Sequence, residues 1–165
     1  MRIFGLPRVV AGALRKDVRV LLCHRGSTRT WYPNVWDLPG GHVDGAEDEW
    51  DAFVRELAEE LGVRVRKPTE SPFARLIAEG VGGEPKFAVW AVDAWDGAVV
   101  NQSPGEHDRL GWFSPAELGE LDLAHPSYVA VLSTLLAGAA SRDHQRMGTQ
   151  HRPSAHGMGM EERSW

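Results

Sequence analysis

Hydrophobic and polar residues along this chain switch between two periods. Val9-Val10-Ala11-Gly12-Ala13-Leu14 and Val18-Arg19-Val20-Leu21-Leu22-Cys23 are short apolar runs separated by the polar Arg15-Lys16-Asp17, a pattern that predicts a buried hairpin. Over residues 48–61 the spacing changes: Trp50, Phe53, Val54, Leu57 and Leu61 recur at helical intervals and make one buried stripe. Gly62 stops that helix, because glycine readily takes the left-handed conformation found just past a last turn. Val63-Arg64-Val65-Arg66 alternates like a strand, and Pro68 and Pro72 interrupt any regular structure after it. Residues 73–81 and 85–95 read as two strands joined by a Gly82-Gly83-Glu84 hairpin turn. Lys86 to Val92 is apolar enough for a central strand, and the five-residue step from Trp90 to Trp95 places the two indoles on opposite faces.

Residues 101–107 read as a loop, with a short strand at Leu110-Gly111-Trp112-Phe113. Ser114-Pro115 has the form of a helix start, with Ser as N-cap and Pro in the first turn. Over residues 127–140, Val129, Leu132 and Leu136 mark a last packing helix. From residue 141 the chain turns polar and loses periodicity, so residues 1–140 are expected to form a single domain and 141–165 a disordered or weakly docked tail. The order β-β-loop-α-β-β-β-α favours an α/β fold with a mixed sheet between helices.

Composition narrows the function classes. With 42% hydrophobic residues, 165 residues suffice for one core. A formal net charge of −5 argues against a general surface for nucleic-acid polymers, whose affinity comes from phosphate neutralisation. It leaves room for a small anion, since a metal and a few arginines can invert the field in one pocket. The lone Cys23 sits in an apolar run, as a buried thiol of a reducing cytoplasm would. No apolar stretch reaches membrane-spanning length, and the first residues lack the apolar core of a secretion signal. His144, His151 and His156 are too irregularly spaced for a metal site, and His107 reads as a polar surface residue.

Glu56, Glu59 and Glu60 stand at i, i+3 and i+4, so they project together near the negative end of the helix dipole. Like charges so spaced cost a few tenths of a kcal/mol per pair, roughly, unless a divalent cation binds them. Arg55 is the only cation within the cluster. Taken alone, such a triplet is also what a solvated helix face shows.

The surrounding spacing is more specific. Gly41, five residues, Glu47, seven residues, Arg55-Glu56-Leu57, one residue, Glu59-Glu60, one residue, Gly62-Val63 matches every fixed position of the Nudix box, and the chain resembles the Nudix hydrolase family. Leu38-Pro39-Gly40 ahead of the box and Ala52 inside it are similar to the family too, whereas Ala46 stands where the family usually has Gly, with Gly45 one place early.

The resemblance implies an α/β/α sandwich and an enzyme that hydrolyses a nucleoside diphosphate linked to another group. It implies Mg²⁺, with Mn²⁺ able to substitute, held by Glu56, Glu59, Glu60 and the carbonyl of Gly40. Arg55 and Glu47 would orient these carboxylates, and Glu56 or Glu106 would take the proton of the attacking water. Glu106, after Pro104-Gly105, resembles the loop Glu of the nucleotide-pyrophosphatase branch. Arg25 stands where relatives place a phosphate-touching Arg, and reads equally as a solvated loop cation. Gly41 would border the substrate; Trp36 either lines the site or packs its loop onto the core, and Trp31 and Tyr32 either stack on a base or do not.

Ala78 and Glu79 lack the Pro of the ADP-ribose branch, and Gly80 and Val81 the Tyr of the dinucleoside-polyphosphate branch. Nucleoside triphosphates, oxidised ones such as 8-oxo-dGTP included, are therefore the leading substrate class. The alternatives are another diphosphate, such as a nucleotide sugar or an isoprenoid diphosphate, and a module that senses a nucleotide without cleaving it. Residues 25–36 faintly resemble isopentenyl diphosphate isomerase, but Cys23 lies too early for its catalytic Cys. Retention of every box carboxylate favours an enzyme over a sensor, with a small nucleotide as partner and a monomer or homodimer as its state.

Overall fold

The computed structural model describes residues 8–66, 71–77 and 86–148, apart from the side chains of Lys86, Ala139 and residues 143–148. In chain order the elements are β1 (Val9–Lys16), β2 (Arg19–Arg25), β3 (Trp36–Asp37), β4 (Gly40–His42), α1 (Glu49–Leu61), β5 (Arg64–Val65), β6 (Ala74–Ile77), β7 (Lys86–Val92), β8 (Trp95–Asp96), β9 (His107–Phe113), α2 (Pro115–Leu118) and α3 (Tyr128–Gly148). β1 runs parallel to β7 and antiparallel to β4, β6 lies antiparallel to β7, and β2 lies antiparallel to β3 and β9. This is the mixed sheet that the element order predicted, with a separate β5–β8 ribbon beside it.

β1 and β2 form the expected hairpin only at its tip, where Arg15 pairs with Val20 and Lys16 with Arg19. The turn is Asp17-Val18, both at positive φ (51° and 59°), a two-residue geometry whose twist matches the flanking strands. Val18 is thus a turn residue instead of the first strand residue, and Arg15 belongs to the strand. Beyond the tip the strands part: β1 continues along β7 and β4, β2 along β9 and β3.

Period-two alternation then divides the core. Val10 and Leu14 of β1, with Leu21 and Cys23 of β2, face Phe53, Leu57 and Leu61 of α1. Ala11 and Ala13, with Val20 and Leu22, face Leu118 of α2 and Tyr128, Leu132 and Leu136 of α3. The result is a sheet between helices, the α/β/α arrangement. Arg15 ties the layers at one end: its buried guanidinium donates to Asp93 at 2.6 Å twice and to the Leu135 carbonyl at 2.9 Å.

Helix α1 starts where sequence placed it. The Asp48 carboxylate accepts from Asp51 N at 2.8 Å, and Gly62 closes the helix at φ 69° with its N–H on the Ala58 carbonyl. At Ser114, the backbone N–H donates to Glu117 at 2.7 Å, and Pro115 opens α2.

Four expectations need correction. The loop before α1 contains two short strands, β3 and β4, too brief for an alternation to show. The strand expected over 85–95 ends at Val92 and the chain re-enters at β8, so Trp90 and Trp95 both pack against the α1-side core instead of on opposite faces. The last strand begins at His107, three residues before its apolar part. Helix α3 runs to Gly148, past the expected start of the tail, because Arg142, Gln145, Arg146 and Met147 are good helix formers and no Pro intervenes. The Gly82-Gly83-Glu84 turn, Ala78 to Val81 and residues 149–165 lie outside the described residues.

Gly12 sets how closely α1 approaches β1. A Cβ there would lie 2.7 Å from the Phe53 ring and 3.2 Å from Leu57. Gly12→Ala is expected to lower unfolding free energy by about 1–3 kcal/mol through overpacking. Gly119→Ala, where nothing lies within 4 Å, should stay within about 0.5 kcal/mol. Urea midpoints of the two variants check both.

Candidate active site

Strand β4 sits beside β1, with Val10 opposite Gly41 and Ala11 opposite Gly40, and the last turns of α1 lie across it. This contact is close because Gly41 has no side chain: a Cβ would stand 2.4 Å from the Glu56 carboxyl carbon. One turn on, Glu60 turns inward and its Oε2 accepts from Gly40 N at 2.9 Å. The three carboxylates therefore do not share one solvated face as their spacing suggested. Glu60 is 4% exposed, while the side chains of Glu56 and Glu59 are 16% and 59% exposed.

Burial has an electrostatic consequence. Desolvation pushes the Glu60 carboxyl up to about 8, against the pull of the Gly40 N–H and with help from the charges of Glu56, Glu106 and Asp37. Glu56 is also raised by burial, with Arg55 opposing.

Arg55 is the counterweight. Its Nε and Nη2 donate to the two Glu47 oxygens at 2.9 and 3.0 Å, a forked pair, and its Nη1 donates to Glu56 at 3.0 Å and Glu59 at 3.4 Å. Nη2 also reaches the His42 carbonyl at 3.2 Å and Asp44 at 3.3 Å. Glu47, lowered by Arg55, also accepts at its Oε2 from Asp44 N at 3.2 Å. The turn ahead of α1 thus closes on Arg55 despite the displaced glycine at its centre.

Residues 97–107 bring a further acid to this place. Val100 N and Gln102 N donate to the carbonyls of Leu61 and Glu60 at 3.0 and 2.9 Å, which satisfies orphan acceptors at the end of α1. The segment then delivers Glu106 and His107 beside Glu60: one ligand atom from each lies within 4.8 Å of the others. His107 corrects the sequence reading, being 4% exposed. Burial lowers its pKa, and its Nδ1 has no hydrogen-bond partner among the described residues.

The other sequence candidates are engaged elsewhere. Arg25 donates to the Trp31 carbonyl at 3.1 and 2.8 Å and to the Tyr32 carbonyl at 3.1 Å, and stands 3.8 Å from Asp37. Trp36 packs edge-on against His24 and Phe113 under the Arg109 guanidinium. Trp31 and Tyr32 are exposed at the loop tip. Asp37, which pattern reading passed over, is raised by burial and accepts from Tyr128 Oη at 2.6 Å and Leu38 N at 2.8 Å.

A carboxylate set of this kind fits a hard divalent cation. Glu60 keeps one oxygen outside its bond to Gly40, and burial favours its neutral form, so a cation placed there would favour the carboxylate.

A model of the NUDIX domain family matches residues 6–135, and the chain belongs to that family. It is 30% identical over 135 residues to the CTP pyrophosphohydrolase of Escherichia coli, covering 81% of this chain and 94% of that protein. It is 32% identical over 143 residues to a Mycobacterium tuberculosis protein named "Putative 8-oxo-dGTP diphosphatase 2", covering 84% and 96%. Among solved structures, the E. coli ORF135 protein superposes with a TM-score of 0.67 at 29% identity, covering 83% of this chain and 93% of that one. The MutT NUDIX hydrolase from Burkholderia pseudomallei gives 0.63 at 27%, covering 76% and 95%. The chain is a Nudix hydrolase, of the class that acts on nucleoside diphosphate derivatives. No helix among the described residues is long and apolar enough to cross a membrane.

Because Arg55 works as a fork, charge alone should not replace it. Arg55→Lys is expected to fold normally and to lose about 10–100-fold in turnover, since the lysine holds at most one Glu47 oxygen. Steady-state kinetics beside a thermal melt separate this from unfolding.

Proposed function

We propose that the enzyme hydrolyses a nucleoside or deoxynucleoside triphosphate, oxidised forms such as 8-oxo-dGTP included, to the monophosphate and pyrophosphate with Mg²⁺ as cofactor. The observation that carries this reading is that Glu56 and Glu59 share the Arg55 guanidinium while Glu60 and Glu106 stand beside them, more acids than Arg55 balances. A polyphosphate can approach such a cluster only through cations. Two relatives that align over nearly their whole length carry names for triphosphate chemistry, which supports the substrate class.

Glu56, Glu59 and Glu60, with the Gly40 carbonyl, would hold the metal. When bound, it neutralises phosphate oxygens and lowers the pKa of attacking water. Arg55 and Glu47 keep Glu56 and Glu59 in place. Water attacks one phosphorus of the α–β anhydride, the P–O bond to the bridging oxygen breaks to give monophosphate and pyrophosphate, and a carboxylate takes the water's proton. Glu106 is freer for that role than Glu56, which already accepts from Arg55 at 3.0 Å. Its loop is held by Gly26 N on the Glu106 carbonyl at 3.1 Å, which leaves the half-exposed side chain to move. A buried, reduced Cys23 accords with a cytoplasmic setting.

Glu59→Gln should lower turnover on the best triphosphate by roughly two orders of magnitude or more. Its thermal midpoint should hold or rise, since the change relieves repulsion at the end of α1. Product chromatography on a panel of nucleoside triphosphates, 8-oxo-dGTP, a nucleotide sugar and an isoprenoid diphosphate tests this. Binding without product from any of them would establish the sensor reading. With excess EDTA the wild type should lose essentially all turnover and regain it on Mg²⁺.

A further inference from the structure

His107 begins β9 directly after Glu106, and its ring is as buried as Glu60. The strand pairing of His107 with Arg25 fixes its backbone, as do Ser103, whose carbonyl accepts from His107 N at 2.9 Å, and Asn101, whose amide donates to the His107 carbonyl at 2.6 Å. The imidazole is therefore held in position by its main chain, while its Nδ1 finds no partner among the described residues. A ring nitrogen left buried and unpaired is destabilising, so the lack of a partner among the described residues calls for an explanation. Beside it, one nitrogen of the same ring, a Glu60 oxygen and a Glu106 oxygen stand within 4.8 Å of one another.

We infer that His107 is a metal ligand, and that with Glu60 and Glu106 it forms a site for a borderline divalent transition ion such as Zn²⁺ in preference to Mg²⁺. This rests on the proposed active site but goes beyond the all-oxygen set that the box supplies. Imidazole suits Zn²⁺, Fe²⁺ or Ni²⁺, whereas Mg²⁺ takes oxygen ligands. Two carboxylates and one imidazole are a three-ligand set that leaves a fourth position open. Tetrahedral donors about 2.0–2.1 Å from Zn²⁺ stand roughly 3.3–3.5 Å apart, so the groups must close in from their present spacing. Glu106 can supply that movement, because it is the half-exposed member. Glu60 keeps one oxygen on Gly40 and offers the other.

The test uses the full chain, stripped of metal and labelled with ¹⁵N-histidine, with ZnCl₂ or MgCl₂ as the only addition. Zn²⁺ is expected to shift a ring nitrogen of His107, assigned through its backbone, toward the metal-bound range, and Mg²⁺ to leave it in place. By calorimetry, His107→Asn should weaken Zn²⁺ binding about tenfold or more and change Mg²⁺ binding less than about twofold. Unmoved His107 nitrogens in the Zn²⁺-saturated wild type overturn the inference even if the variant binds weakly, because the effect would then be indirect. Hydrolysis with Mg²⁺ is measured on the same sample. Triphosphate cleavage without the nitrogen shift removes the His107 site and leaves the proposed function standing; the shift without cleavage does the reverse.

Discussion

The contact between the end of α1 and the backbone of β4 is the constraint on which the rest of the site depends. A carboxylate can be brought into a protein interior only where something there accepts its charge. Here the Gly40 N–H donates to Glu60 at 2.9 Å, and the approach is open because Gly41 offers no Cβ where Glu56 lies. The β1–β4 pairing holds that backbone still, and Gly12 N adds a bond to the Pro39 carbonyl at 2.9 Å. The same β1 carries Gly12, against which Phe53 and Leu57 seat α1. One strand thus fixes both partners of the contact.

Charge balance around this contact explains the remaining architecture. Four carboxylates, Glu47, Glu56, Glu59 and Glu60, belong to one helix or its approach, and Arg55 bonds three of them while Glu60 is left to Gly40. Arg55 therefore neutralises the outer part of the cluster and leaves Glu60 without a cation of its own, and burial raises that carboxyl to about 8, so that its charged form calls for added positive charge. A site arranged this way has stored a demand for positive charge. A bound cation answers it, and a second oxyanion can then share that cation.

Much of this was legible in the sequence, for physical reasons. Helix α1 has a strong apolar period with a cap at each end, so its limits and buried stripe were readable. The box spacing identified Arg55, Glu47 and the three glutamates, and the structure sets Arg55 in hydrogen-bonding reach of Glu47, Glu56 and Glu59. What could not be read was depth. Periodicity says which residues share a face of a helix, but Glu60 is buried because β4 covers it, and β4 is three residues long. The fate of Arg25 was equally unreadable, since its bonds go to main-chain carbonyls of residues six and seven positions on. His107 carried only one signal, its place next to Glu106; its burial comes from β9 pairing with β2, a long-range event.

Those same long-range pairings decide how the acid outside the helix arrives. β9 lies against β2, and β2 against β3, so the loop before β9 and the loop after β2 emerge side by side. Gly26 N bonds the Glu106 carbonyl, Arg29 stands 3.8 Å from its carboxylate, and Arg25 gathers the Trp31 and Tyr32 carbonyls beneath the exposed rings. Helix α1 supplies three carboxylates from one direction, while the two loops supply the half-exposed Glu106 and an exposed aromatic tip from another. Under the proposed function, phosphate chemistry would belong to the first group because it requires fixed charge. Recognition of whatever the phosphates are attached to would then fall to the second, where Trp31 is exposed.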